Sequence, residues 1–270
     1  MDVLDRCVRH VCVNDRYRRI TFFHLIGAQN MTYISTSTSP TDDREGWPPG
    51  FYVGTRVRVA SDAQVDAFRH IPVAHAGDVL GRVTGPLGLH AYHNDIALTM
   101  CGPALTVRVR PGDNMMIHKA IELAQPGDVI VVEGGGDLTQ ALIGGLMRTS
   151  AIAKKVGGFV IDGALRDLAE WAEGGLPVYA RGHTFRGPTK EGPGEVNVPI
   201  VCGGMIVRPG DLVIGDADGV LALPLERLDA LLPLCRAHAQ KEDRIRAANR
   251  TGTSDPERFN ALLRAKGCPV

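Results

Sequence analysis

Short apolar stretches alternate with amphipathic ones through the middle of the chain. The apolar stretches are rich in Val and Ile and bounded by Gly, Pro or Asp, which predicts strands, and the amphipathic stretches predict helices. Strands are expected at residues 96–110, 129–132, 158–162 and 177–180, and helices at residues 62–69, 74–81, 115–124, 138–155 and 165–173. The helical stretch over 138–155 is expected to break at Gly144-Gly145. This alternation indicates βαβ units around a partly parallel sheet, which defines an α/β fold.

The pattern changes after residue 180. Residues 181–197 are rich in Gly and Pro and predict a long loop, of a length that is usually functional or disordered. Four short apolar segments then follow, separated by turn residues, at residues 198–202, 205–207, 211–214 and 219–223. They predict a short β-barrel-like block. Residues 225–248 predict a long amphipathic C-terminal helix.

Three regions follow from these patterns. Residues 1–60 predict an N-terminal extension that is partly disordered, because residues 35–50 are polar and broken by prolines; residues 52–60 alternate weakly and are compatible with a strand. Residues 61–250 predict one compact domain. Residues 251–270 are assigned to a C-terminal tail.

Composition narrows the choice of function. Lys+Arg and Asp+Glu balance at 30 each and aromatic residues make up 5%, so the chain lacks the charge and stacking platforms typical of direct nucleic-acid binding or of a polybasic membrane patch. No apolar run approaches the ~20 residues of a membrane span. The six cysteines are scattered without a C-x-x-C pair, which is typical of reduced thiols in a cytoplasmic protein.

The stretch from residue 142 to residue 167 carries the strongest chemical signal. Gly144 and Gly145 open a helical run, so backbone N–H groups are expected to face a carboxylate. Arg166 offers a planar fork of donors for a carboxylate, and Asp167 offers a hard oxygen ligand for a divalent cation. Both are predicted in the first helical turn after a strand. The alternative is that Asp162 caps this helix and that Arg166 and Asp167 lie on its solvated face.

Two histidine signals are weaker. His90, His93 and Asp95 have spacing that could suit a metal, but a surface loop is the more common outcome for such spacing. His118, on a predicted apolar helix, is expected to be a core histidine with its hydrogen bonds satisfied.

A resemblance to a known family rests on five motifs. They are GGLM at residues 144–147, GGFVIDGALRD at 157–167, LPVYARG at 176–182, PGEVNVPIVCGG at 193–204 and RPGDLVIGDADGV at 208–220. Together they resemble the family that holds the regulator of ribonuclease activity A (RraA) and the class II 4-hydroxy-4-methyl-2-oxoglutarate/4-carboxy-4-hydroxy-2-oxoadipate aldolases. The similarity covers residues 62–248 and leaves residues 1–60 outside it.

The resemblance implies an α/β fold with an RraA-like swivelling β/β/α core, assembled as trimers or dimers of trimers with active sites between subunits. It implies that Asp167 holds Mg²⁺ or Mn²⁺, largely through waters. It also implies that pyruvate is bound by Arg166 and by the amides of Gly144, Gly145, Leu146 and Met147. Acidic residues are expected to approach from a neighbouring subunit or helix, and Asp78 and Glu242 occupy matching places.

One position departs from the aldolase pattern. The aldolases carry an Asp in a D-x20-R-D motif, whereas here that position is Gly145 and the Arg-Asp pair is followed by Glu170, as in the ribonuclease-regulator branch. A missing Asp would affect aldol cleavage more than decarboxylation, which mainly needs metal and enolate stabilisation.

Three functional hypotheses follow. The first is a metal-dependent lyase on a small 2-oxo acid, acting by retro-aldol cleavage or by oxaloacetate decarboxylation. The second is a non-catalytic regulator that binds a ribonuclease or another protein partner. The third is a lyase on a different hydroxy acid whose own groups replace the missing Asp.

Overall fold

The computed structural model describes residues 43–56, 59–253, 255 and 257–270. Its strands are β1 (Phe51–Val53), β2 (His90–Ala91), β3 (Met100–Val109), β4 (Val129–Glu133), β5 (Ala141–Ile143), β6 (Gly158–Leu165), β7 (Val178–His183), β8 (Gly194–Val196), β9 (Ile200–Cys202), β10 (Met205–Val207), β11 (Leu212–Asp216) and β12 (Gly219–Leu223). Its helices are α1 (Asp62–Phe68), α2 (Val73–Val79), α3 (Met115–Leu123), α4 (Gly145–Ala153), α5 (Leu168–Ala172), α6 (Leu228–Thr251) and α7 (Glu257–Ala265), with a 3₁₀ turn at Leu225–Arg227.

One ten-stranded sheet organises these elements, in the order β1-β8-β3-β4-β6-β7-β2. Strands β3, β4, β6 and β7 run parallel, and β5 adds a parallel partner to the end of β6. Strands β8 and β2 pair antiparallel at the two sides. Strand β11 pairs antiparallel with both β3 and β12, while β9 and β10 form a separate hairpin. The predicted α/β fold with a partly parallel sheet is confirmed.

The sheet is buried on both faces, which explains why its central strands are apolar without polar alternation. Val129 and Val131 of β4 join the core under α1, α2 and α6, whereas Ile130 and Val132 join the core under α3, α4 and α5. All four side chains are fully buried. Helices on both faces leave the carboxyl ends of the parallel strands as the open edge, where sites in such folds lie.

Three local predictions were wrong. Residues 141–143 belong to strand β5 rather than to a helix over 138–155, and helix α4 begins only at Gly145. Strand β6 continues to Leu165, so Arg166 and Asp167 precede helix α5 instead of lying in its first turn. The predicted loop at 181–197 contains the end of β7 and all of β8.

Both assigned ends of the chain contribute regular structure. Strand β1, from the assigned extension, pairs in parallel with β8 and so belongs to the main sheet. Helix α7 lies within the assigned tail. Residues 1–42 lie outside the described residues, so the predicted disorder there stays a prediction. In the described part of the chain no helix has the length and apolar character needed to cross a membrane.

A buried carboxylate anchors the loop between β7 and β8. Asp113 is 1% exposed and accepts hydrogen bonds from the Thr189 hydroxyl and from the N–H groups of Met115, Glu191 and Gly192. Burial alone would raise the pKa of Asp113, but these four hydrogen bonds together lower it.

Asp113→Asn is therefore expected to destabilise the protein at pH 7 by about 1–3 kcal/mol, the usual cost of losing hydrogen bonds to a charged group. Because the folded pKa is depressed, this stabilisation is present above the unfolded pKa and is lost as pH falls through the folded value. The difference in free energy of unfolding between Asp113→Asn and wild type, measured by urea denaturation, should become smaller below about pH 4. Asp66→Asn, which removes an exposed carboxylate, is the control; an equal effect of both variants, or a gap independent of pH, would contradict the prediction.

Candidate functional site

The amino end of α4 and the link between β6 and α5 meet at the open edge of the sheet. Gly144 is the N-cap of α4 and comes directly after β5, which is parallel to β6. A Cβ atom at Gly144 would lie 2.5 Å from Asp167 Oδ2 and 2.9 Å from Arg166 Cγ. Only glycine allows this close approach, so Gly144 brings the helix terminus against the Arg-Asp pair.

Asp167 is held in an unusual backbone conformation. Its φ of 63° and ψ of 47° place it in the left-handed region, which few non-glycine residues adopt, Asp more often than most. The Gly145 N–H donates to Asp167 Oδ2 at 2.8 Å, and Arg166 Nε lies 3.6 Å from the same oxygen. Trp171 is fully buried and its Nε1–H donates to the Arg166 carbonyl at 2.9 Å. These contacts fix one carboxylate oxygen of Asp167 and leave Oδ1 without a hydrogen bond among the described residues.

The amides predicted to bind substrate are not equivalent. The Gly145 N–H is used by Asp167, and the Met147 N–H donates to the Gly144 carbonyl at 3.0 Å. The Leu146 N–H has no hydrogen-bond acceptor among the described residues, and the Leu146 side chain is 83% exposed. Leu146 therefore provides the available amide at this helix terminus, while the Met147 side chain is buried behind it.

The Glu170 carboxylate lies next to Gly145, the position where the aldolase pattern has an Asp. A Cβ atom at Gly145 would lie 2.1 Å from Glu170 Oε2 and 2.2 Å from Glu170 Oε1. The Glu170 carboxylate thus occupies the space that a side chain at position 145 would enter. The carboxylate that the aldolase pattern places on α4 is here carried by α5, beside Asp167.

A cavity of about 130 Å³ opens on these groups. It is lined by Asn114, His118, Ala141, Leu142, Ile143, Gly144, Leu146, Met147, Arg166, Asp167, Pro188 and Lys190. This volume is below the ~300–1,000 Å³ of most ligand pockets and suits a small acid rather than a nucleotide. Arg166 and Lys190 give the cavity two cationic groups, and Asp167 gives it an anionic one.

His118 and Lys190 were missed as site residues. His118 is exposed at the cavity and not a core histidine as predicted. Desolvation, and to a smaller extent the nearby Lys190, lower the pKa of His118, which favours a neutral imidazole. No local sequence pattern linked His118, on α3, to Arg166 and Asp167.

Asp78 and Glu242 lie in a second cluster, between α2 and α6. His75 Nε2 is 3.0 Å from Glu242 Oε2, and His238 Nε2 is 3.3 Å from Glu242 Oε1 and 3.4 Å from Asp78 Oδ2. The hydrogen bond with His75 leads the effects that lower the pKa of Glu242. No hydrogen bond or ion pair among the described residues joins this cluster to Arg166 or Asp167.

The other histidine signal has a structural explanation. His93 is 6% exposed, and its Nδ1 lies 3.2 Å from both the nitrogen and the oxygen of Val178. The expectation of a surface loop is therefore wrong for His93, which fastens its loop to β7. Sequence spacing did not indicate His75 and His238, because they lie far apart along the chain.

The donor set around Asp167 suits a hard divalent cation. Asp167 Oδ1 and the Glu170 carboxylate have no hydrogen-bond partner among the described residues, and both are exposed at the site. Oxygen ligands of this kind, completed by water, are what Mg²⁺ and Mn²⁺ prefer. The residues present therefore fit the metal that the family implies.

Fold and site together define an α/β protein with a small pocket of Arg, Asp and helix-terminal amide groups at the carboxyl ends of parallel strands. The chain belongs to the RraA-like family, since the model described as Aldolase/RraA matches residues 63–222. The recognition of this family from its motifs is thus confirmed.

Individual relatives agree with this assignment. A protein of Halalkalibacterium halodurans, provisionally named 4-hydroxy-4-methyl-2-oxoglutarate aldolase, is 40% identical over 191 residues, covering 69% of this chain and 90% of that one. The 4-hydroxy-4-methyl-2-oxoglutarate aldolase of Thermus thermophilus is 40% identical over 123 residues, which cover 46% of this chain and 74% of that one. The crystal structure of Streptomyces coelicolor RraAS2, described as an unusual member of the RNase ES inhibitor RraA protein family, superposes with a TM-score of 0.64 at 26% identity. The match covers 70% of this chain and 98% of that one.

Proposed function

We propose that this protein is a divalent-metal-dependent lyase that releases pyruvate from a small 2-oxo acid. The substrates proposed are 4-hydroxy-4-methyl-2-oxoglutarate-type acids, cleaved by a retro-aldol reaction, and oxaloacetate, which is decarboxylated. The observation that carries the proposal is the cavity lined by Arg166, Leu146 and Asp167. The Glu170 carboxylate lies next to it, against Gly145. The names of the aldolase relatives support it.

The cationic side and the anionic side of the cavity have different tasks. Arg166 binds the carboxylate next to the keto group, with the Leu146 N–H as a further donor, and so fixes the direction of the bond that breaks. Asp167 and Glu170 would hold Mg²⁺ or Mn²⁺, which would supply electrostatic stabilisation of developing negative charge. The strained Asp167 backbone keeps this carboxylate in place without reorganisation during the reaction.

Lys190 suggests that the substrate carries a second acidic group. Lys190 lines the cavity, and its ammonium forms no ion pair with an acidic residue in the described part of the chain. Both 4-hydroxy-4-methyl-2-oxoglutarate and oxaloacetate have a second carboxylate. An unpaired cation at a cavity favours such a group. The neutral His118 beside it can donate or accept a hydrogen bond.

An assembly of copies is part of the proposal. Leu146, at the site, and Phe185, in the neighbouring segment, are large apolar side chains with 83% and 88% exposure. Exposed apolar surface next to a site favours cover by another subunit, as in a trimer or hexamer. Asp78 and Glu242 are proposed as acidic groups contributed from the neighbouring subunit. A cytoplasmic location is also proposed, since Cys101, Cys202, Cys235 and Cys268 are free thiols.

The test is a pyruvate-release assay on oxaloacetate and on 4-hydroxy-4-methyl-2-oxoglutarate, each with Mg²⁺, with Mn²⁺ and with a chelator. Metal-dependent release from either substrate is the expected result. Absence of release from both would overturn the proposal and favour the alternative, a regulator that binds a ribonuclease or other protein. That alternative is supported by the similarity to RraAS2 and by Gly145 and Glu170, which follow the pattern of the ribonuclease-regulator branch.

Glu170 provides a sharper prediction about the departure from the aldolase pattern. Glu170→Gln is expected to lower kcat by about 100-fold, as for other charge-stabilising groups, because it removes the carboxylate beside Asp167. The double variant Gly145→Asp/Glu170→Ala should recover much of the loss, since it returns a carboxylate to nearly the same space.

Glu173→Gln is the matched control for Glu170→Gln. Glu173 follows the same helix, but its carboxylate is 66% exposed and contacts Arg148 rather than the cavity. Wild-type rates for Glu170→Gln, or equal losses in the Glu170 and Glu173 variants, would show that Glu170 does not replace the missing Asp.

A further inference from the structure

Two histidines and a glutamate converge between α2 and α6. One ligand atom from each of His75, His238 and Glu242 lies within 4.8 Å of the other two. Both imidazoles direct Nε2 at the Glu242 carboxylate, at 3.0 Å for His75 and 3.3 Å for His238. The side chains of His75 and His238 are only 15% and 20% exposed, so the two rings are held by packing rather than extended into solvent.

The spacing of these atoms matches the coordination shell of a transition metal. Zinc binds imidazole nitrogen and carboxylate oxygen at about 2.0–2.2 Å, so the corners of its tetrahedron lie about 3.3–3.5 Å apart. His238 Nε2 is 3.3 Å from Glu242 Oε1 and 3.4 Å from Asp78 Oδ2, near this value, and His75 Nε2 is 3.0 Å from the other oxygen, Glu242 Oε2. With one ligand atom taken from each, His75, His238 and Glu242 lie within 4.8 Å of one another. Small side-chain adjustments would therefore suffice to admit an ion.

The backbone also supports a preformed site. His238 and Glu242 are four residues apart on α6, so their side chains share one helix face. His75 and Asp78 are three residues apart on α2, and Arg82 Nε donates to Asp78 Oδ1 at 2.7 Å, which orients that carboxylate from outside the cluster. Such an outer partner is a usual feature of metal sites.

We propose that His75, His238 and Glu242 form a binding site for a zinc-class transition metal ion, with Asp78 as a fourth ligand or an outer hydrogen-bond partner. Two imidazoles favour Zn²⁺, Co²⁺ or Ni²⁺ over Mg²⁺, which prefers oxygen ligands and water. The site differs in chemistry from the all-oxygen set at Asp167. Glu242 and Asp78 are also the acidic groups proposed for the neighbouring subunit's site, but the metal site is argued from the two imidazoles and does not rest on the lyase function.

The ion would join two segments that are distant in sequence. Glu242 follows His75 by 167 residues, and the ion would clamp α2 to α6. Because the unfolded chain lacks the site, binding adds to the stability of the folded state. The two expected properties are binding of one ion per chain and a rise in melting temperature with Zn²⁺.

The test uses full-length protein that has been stripped of metal with a chelator. One sample is then titrated with Zn²⁺ and a separate sample with Co²⁺. Wild type and Asp167→Ala should each bind one Zn²⁺ per chain at this site, show the visible absorption of nitrogen- and oxygen-ligated Co²⁺, and melt at a higher temperature with Zn²⁺. His75→Ala and His238→Ala should weaken Zn²⁺ binding by more than about 100-fold, since even loss of outer partners costs 10–100-fold.

His70→Ala is the matched control, because His70 is exposed and lies outside the cluster. Glu242→Gln preserves size and guards against loss of folding in the histidine variants; it should also weaken binding. Unchanged Zn²⁺ affinity in His238→Ala and Glu242→Gln, or loss of all Zn²⁺ binding in Asp167→Ala alone, would overturn the proposal. Failure of the lyase assay with intact Zn²⁺ binding would overturn only the proposed function.

Discussion

Asp167→Ala is expected to lower kcat/KM for metal-dependent pyruvate release by about 1,000-fold, the upper range for removal of one group that stabilises transition-state charge. The reason is that Asp167 is both the proposed metal ligand and the acceptor that fixes the Gly145 amide. Steady-state kinetics with saturating Mg²⁺ and Mn²⁺ measure the change. Asp167→Asn should be nearly as inactive, because the amide keeps the shape and loses the charge.

Asp66→Asn is the control for this charge change. Asp66 lies 3.4 Å from Arg69 on the exposed surface. The two form an Arg–Asp pair like Arg166 and Asp167, but this pair belongs to the α1 region and lies outside the cavity. Its kinetics should match wild type. Similar activity in Asp167→Ala and wild type would remove Asp167 from the reaction, and with it the proposed lyase mechanism.

Trp171→Ala is expected to destabilise the protein by about 3–5 kcal/mol, the range for truncating a buried tryptophan. Trp171 is fully buried and packs edge-on against Phe159, with ring centroids 6.0 Å apart. Urea denaturation measures the loss. Trp171→Phe separates packing from polarity: it keeps most of the apolar contact but leaves the Arg166 carbonyl without its donor, at a cost of about 1–3 kcal/mol.

The same pair of variants tests how Trp171 supports the site. In Trp171→Phe the backbone beside Arg166 and Asp167 loses one of its fixed points, so kcat/KM for pyruvate release should fall although the fold persists. Stability of Trp171→Ala within 1 kcal/mol of wild type, about the effect of an ordinary substitution, would contradict the packing argument.

The elements predicted best from the sequence are those with a clear local pattern of apolar residues. Strand β4 and helix α3 were found almost residue for residue, because a continuous Val/Ile run and a helical apolar period are local signals. Strand β5 was missed because Ala141–Ile143 is only three residues long, and so short an apolar segment also suits a helix. Short apolar runs do not distinguish the two structures.

The site was predicted only in part, because only some of its contacts are between residues close in sequence. Arg166 and Asp167 follow a strand, so a local motif placed them at the sheet edge; their exact backbone conformation depends on contacts with Gly144 and Gly145 that no local pattern encodes. Asp78 and Glu242 were chosen by resemblance, but their histidine partners depend on the packing of α2 against α6. Such long-range pairs leave no trace in spacing along the chain.

The contact between Gly145 and Glu170 limits the order in which these two positions can change. A side chain at position 145 and the present Glu170 carboxylate require the same space, so a chain carrying both would have to displace one of them. Two carboxylates so close to Asp167 would also repel. A lineage that exchanges one arrangement for the other therefore passes through a form with a displaced or a missing carboxylate. Because the Glu170 carboxylate ends a flexible and exposed side chain, it can move aside, so the form with a displaced carboxylate connects the two arrangements.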